Sequence, residues 1–103
     1  MMKKQADKLD IMVETADERK SLADKLLAER DNLVGKDVIL NNLYPKQAAE
    51  YRGRLADVQV RDDKLFLVLE EADGAKSHLI GSKDDRFAKD IAKHIPKTRI
   101  TVG

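Results

Sequence analysis

The chain has no cysteine and no tryptophan among its 103 residues. A disulfide-stapled mini-protein, a thiolate metal site and a cysteine nucleophile are therefore excluded. Proline occurs twice and glycine five times. The glycines stand singly, so no phosphate-cradling glycine-rich loop is present. Long hydrophobic runs are missing too. The longest strictly apolar stretch is Leu65 to Leu69, whereas a membrane-spanning helix needs about 20 residues. No membrane contact is expected. Aromatic residues number only four, Tyr44, Tyr51, Phe66 and Phe87. Neither sign of charge dominates, since 20 basic and 19 acidic side chains leave +1.

Met1-Met2-Lys3-Lys4 resembles the start of a signal peptide. Gln5-Ala6-Asp7-Lys8 then stands where an apolar segment of roughly 7–15 residues would be required. A cytoplasmic, unexported protein is the expectation. The near-zero balance also hides a gradient. Residues 1–35 sum to −1, residues 36–74 to −2 and residues 75–103 to +4. Any contact with a polyanion is expected in the last third.

What the chain has in abundance is helix-forming residues near its start. From about Lys4 to Val34 there is no Gly or Pro, and Ala, Leu, Lys, Glu and Arg prevail. At 100° per residue, Leu9, Met12, Val13, Ala16, Ala23, Leu27 and Val34 share one side and Ile11, Leu22, Leu26 and Leu33 an adjoining one. This spacing predicts one long amphipathic helix closed by Gly35. Thr15-x-x-Glu18 and Ser21-x-x-Asp24 both match a capping box. A kinked pair or helical hairpin is the alternative.

Beyond residue 35 the period changes. Val38-Ile39-Leu40 reads as a strand. Pro45 suits the first position of a short helical turn reaching Tyr51. Residues 54–60 alternate as a half-buried strand, and Asp62-Asp63 makes a turn. Leu65 to Leu69, apolar on both faces, reads as a central strand. Asp73-Gly74 is a hairpin signal. Ser82 or Asp84 can cap a helix from about Asp85 to His94 with Phe87, Ile91 and Ile95 on one apolar face, and Pro96 stops it. Arg99 to Val102 is a last strand with Ile100 and Val102 pointing inward.

The fold class expected is α+β: a long N-terminal amphipathic helix, then a small antiparallel sheet or partly open barrel with one C-terminal helix before the last strand. Residues 1–35 would form a helical oligomerisation arm and residues 36–103 a small β-rich domain. A helix of about 30 residues is roughly 45 Å long, longer than the body behind it. Its apolar side would need a second chain, most simply a copy of itself in a coiled-coil-like dimer. Ile11, Met12, Leu22, Leu26, Leu27 and Leu33 form the expected self-assembly seam.

Catalytic patterns are sparse. No His-Glu-x-x-His occurs, and His78 and His94 lie far apart in sequence. Asp62-Asp63, Glu70-Glu71 and Asp84-Asp85 fall in predicted turns or at a helix start, where Asp caps backbone groups. No enzyme, cofactor or metal is expected. The reading is a non-enzymatic oligomeric binding protein, an adaptor or inhibitor acting on an unidentified protein partner. Nucleic acid is the alternative. Tyr51, Arg52 and Arg54, with Lys83, Arg86, Lys89 and Lys93, are the candidate partner or phosphate contacts. A dedicated nucleic-acid binder carries a domain pI above about 9, so a chain of net charge +1 is expected to bind nucleic acid weakly.

Overall fold

A computed structural model describes residues 9–103. The described residues open with a strand, not a helix. Strand β1 (Leu9–Val13) is followed by helix α1 (Ala16–Ala28), the short α2 (Arg30–Leu33), and strands β2 (Asp37–Tyr44), β3 (Gln47–Arg61), β4 (Lys64–Glu71) and β5 (Gly74–Ser82). Helix α3 (Asp85–His94) and strand β6 (Lys97–Val102) complete the chain. Among the described residues, six strands form one open antiparallel sheet in the order β1-β6-β2-β3-β4-β5.

The expected long helix is thus overturned, and with it the fold class built upon it. Two local causes combine. Leu9, Ile11 and Val13 alternate with Asp10 and Met12, and alternation is the strand period. The first set turns inward and the second outward. Thr15 then caps α1: its hydroxyl accepts from the Glu18 N–H, and the Glu18 carboxylate accepts from the Thr15 N–H. This capping box starts a helix of 13 residues at Ala16. The helix is too short to outreach the body it packs on. Residues 1–8, where the predicted helix would have begun, lie outside the described residues.

A second segment also changed class. The predicted turn at 45–51 is mostly strand, because Gln47 to Tyr51 pair with Leu40 to Tyr44 of β2 around Pro45-Lys46. Ladder pairing overrides the helix-forming Gln-Ala-Ala-Glu run. Elsewhere the chain behaves as its pattern implies. Asp62 and Asp63 both take positive φ (53° and 63°) in the two-residue hairpin turn, as a type I′ turn requires. Gly35 sits at φ 95° just past α2. Asp84 caps α3 by accepting from the Arg86 and Phe87 N–H groups.

One face of the sheet carries the core. Leu40, Leu55, Leu65, Leu67, Leu69, Ile80, Ile100 and Val102 are buried there with Ile11 and Val13. Leu22, Ala23 and Leu26 of α1 and Leu33 of α2 close over them in the same cluster. The core therefore runs across residue 35. Strand β3 turns within its length at a bulge between Leu55 and Asp57, which brings Leu55 and Val58 onto the same buried face.

Helix α1 touches both edge strands, β1 and β5, as well as β3 and α3. The sheet must curl for one helix to reach both margins. The closest approach is at Gly81, where a Cβ would lie 2.6 Å from the Arg19 carbonyl oxygen. Arg19 itself is fully buried. Its guanidinium donates to the Ile80 carbonyl at 2.9 Å, to the Thr98 hydroxyl at 3.0 Å and to the Ile95 carbonyl. The Thr98 hydroxyl in turn donates a hydrogen bond to Asn42 Oδ1 at 2.8 Å. One side chain thus joins α1, β5, the loop after α3, and β6.

Candidate binding surface

The helices cover one face of the sheet and leave the other open. Antiparallel sheets tolerate this when the open face is polar. Here it is mixed. Register places Asp10, Thr101, Ile39 and Arg52 in one row across β1, β6, β2 and β3, and Met12, Arg99, Asn41 and Glu50 in the next. Leu43 follows beside Lys97 and Ala48. Met12 is 46% and Leu43 38% exposed. Ile39, one row before Met12, is half-buried. On the β4–β5 side Phe66, Val68 and Leu79 are half-buried on the same face, and the Arg61 guanidinium lies 4.3 Å from the centre of the Phe66 ring.

The charges of this face are paired locally. Arg99 grips Asp10 through two bonds of 2.9 and 2.6 Å. That contact holds the Asp10 carboxyl below the usual carboxylate range. Arg52 donates to Glu50 at 2.7 Å, and the contact raises the Arg52 pKa above its ordinary value. Arg54 and Glu70 lie opposite one another in the ladder. An open depression beside them is lined by Asp37, Ile39, Arg52, Arg54 and Glu70. Arg99 and Arg52, so neutralised, offer a polyanion little free positive charge.

The residues proposed from sequence as one contact set are dispersed. Tyr51 points to the opposite face from Arg52 and Arg54, because neighbours in a strand alternate. Lys83 follows β5 and approaches Asp24 at 3.6 Å. Arg86, Lys89 and Lys93 are exposed on α3, which packs against α1 and β5. Lys89 shares Asp85 with Lys20. The seam residues are dispersed too. Ile11, Leu22, Leu26 and Leu33 are buried within the single chain, while Met12 and Leu27 (36% exposed) reach solvent from different elements.

Tyr51 belongs instead to a cluster that sequence reasoning missed. Its ring lies 4.2 Å from that of His78, tilted by 33°. His78 Nε2 is 2.5 Å from Glu71 Oε2, and both side chains are about one-eighth exposed (13% and 12%). Burial pushes the Tyr51 phenol pKa up, and Tyr44 and Glu71 add to the rise. A carboxylate that fixes an imidazole can orient it for acid–base work, but among the described residues no hydroxyl nucleophile bonds to this pair. The pair acts as a satisfied polar contact between β4 and β5. His94 stands apart, exposed at the end of α3. Among the described residues no group of three metal-ligating side chains gathers, and no helix is long and apolar enough to cross a membrane.

Only two signals for the open face were present in the sequence: the alternation of Asp10 and Met12 with their neighbours, and Leu43 at an outward position of β2. The Asp10–Arg99 pair joins residues 89 positions apart and left no local trace. Comparison of the chain with protein-family models, with curated proteins and with solved structures finds no match.

Proposed function

We infer that the chain is a non-enzymatic protein-binding domain whose contact surface is the open face of the sheet around Met12, Ile39 and Leu43. The observation that carries this reading is the exposure of Met12 and Leu43 (46% and 38%) on the face that no helix covers. Large apolar groups grouped on a wet face and rimmed by polar ones are a feature of protein interfaces. The paired state of Arg99 and Arg52 favours a protein over a nucleic acid, since a partner's hydrogen-bonding groups can meet a neutralised rim without needing free cations.

A photo-crosslinking residue placed at Leu43 should yield a discrete protein adduct in cells, whereas one at Asp31, exposed on α2, should yield none. Leu43→Asp should abolish an adduct formed from Ile39 while leaving the fold within about 0.5 kcal/mol of the parent, as surface changes usually do. Equal labelling from both positions overturns the reading. So does a gel retardation of nucleic acid that weakens steeply with salt.

A further inference from the structure

Strand β1 is an edge. Among the described residues β6 pairs with one side of it and no strand pairs with the other. Its sequence, Leu9-Asp-Ile-Met-Val13, has neither the Lys nor the Pro that natural proteins use to blunt such margins. An open groove runs between this strand and α1, floored by Ile11, Val13 and Leu22 and rimmed by Asp17, Ser21 and Lys25. These three rim residues recur every four positions and so share one flank of the helix. The other flank carries Lys20 and Asp24, which are engaged by Asp85 and Lys83. Neither Asp17 nor Lys25 takes part in an ion pair among the described residues.

We propose that β1 and this flank of α1 form the interface of a symmetric dimer, and that the occupant is a second copy of the chain. Register fixes where the two copies would meet. The chain reverses at Glu14-Thr15, so Val13 and Asp17 stand at the same end. From Val13 back to Ile11 the strand covers about 7 Å. From Asp17 forward to Ser21 the helix covers about 6 Å. Ile11 and Ser21 are therefore level. A single two-fold axis at that level does two things at once. It pairs β1 antiparallel with the partner's β1, with Ile11 facing its own copy. It also sets α1 antiparallel beside the partner's α1 with the small Ser21 at the crossing. Asp17 then faces the partner's Lys25, and Lys25 faces the partner's Asp17. This self-complementary order, acid then small then base, is what an isologous interface requires. The pairing satisfies the free backbone groups of β1, covers the groove over Ile11 and Val13, and joins the two sheets into one.

Light scattering on the full chain at high micromolar concentration should give twice the 11.6 kDa of a single chain. Lys25→Asp and Asp17→Lys each place like charges across the axis and should weaken dimerisation roughly tenfold or more. Both residues are exposed, and unchanged circular dichroism verifies that each variant folds. Mixing the two variants restores opposite charges at both ends, so native mass spectrometry should show the mixed dimer in clear excess over either homodimer. Ser21→Arg, which crowds the crossing, should dissociate the dimer without a reversal of charge. A monomeric parent overturns the proposal. So does a dimer indifferent to both charge reversals, or a mixture with no preference for the mixed species.

Discussion

Arg19 is the residue on which the packing turns. It is an ionised group buried without a carboxylate, held by two carbonyls and a hydroxyl, with its Nε donor lacking an acceptor among the described residues. Burial pulls its pKa down, though a guanidinium stays charged. Arg19→Ala strands the Ile80 and Ile95 carbonyls and the Thr98 hydroxyl, and should cost about 3–5 kcal/mol in urea unfolding. Arg19→Lys should recover only part of that loss, because one ammonium cannot span the three acceptors. At the surface, several carboxyls titrate below their ordinary values: Asp10 against Arg99, Asp57 against Arg30, Asp73 against Lys76, Asp85 against Lys20, and Glu18 against the Thr15 and Glu14 N–H groups. A carboxyl whose folded pKa is depressed stabilises the fold above its unfolded value, about 4, and that contribution is lost as pH falls through the folded value. The thermal midpoint should therefore hold level from neutral pH to about pH 5 and drop below about pH 4. Asp10→Asn should make the drop shallower in a calorimetric series.

At the scale of elements, the sequence was most legible where two local signals agreed. Ser82 or Asp84 as cap, Pro96 as stop and the helical spacing of Phe87, Ile91 and Ile95 pointed to α3, and Asp85–His94 forms as expected. Asp73-Gly74 and the Leu65–Leu69 run placed the β4–β5 hairpin. Legibility failed where signals competed. Between Leu9 and Val34 good helix formers and the lack of Gly or Pro spoke for one helix, while the alternation of Leu9, Ile11 and Val13 and the box at Thr15 spoke for a break. Pairing with β6 decided the contest, and that strand lies at the other end of the chain. Phe87 shows the same limit: its spacing from Ile91 suggests core, yet it is 38% exposed with Lys64 stacked 4.6 Å from its ring centre. The seat of α1 on β5 gives a sharp check. Gly81→Ala would drive a Cβ into the Arg19 carbonyl, which cannot yield as a flexible side chain would. Helix α1 must shift, and a loss of about 1–3 kcal/mol is expected in thermal or chemical unfolding.

Over the whole molecule, a single core links every strand to α1. Leu26, 1% exposed, lies in the same cluster as Ile11, Leu40, Leu67 and Ile100. Leu26→Asp should therefore collapse the entire set of dispersed amide resonances and not just those of the first 35 residues. Leu27→Asp, one position on and at the surface, should leave the spectrum intact. A Leu26→Asp protein with a folded sheet would contradict the shared core. The order of strands has a further consequence for synthesis. Strand β6 is the last of the six described strands to be translated, yet it fills an interior slot, bonding to β1 on one side and β2 on the other. A nascent chain stalled before Lys97 holds two strands with nothing between them, and Arg19 still lacks Thr98. Such ribosome-bound chains should remain open to protease until residues 97–102 emerge, then close in one late step, so that assembly of the sheet follows elongation instead of accompanying it.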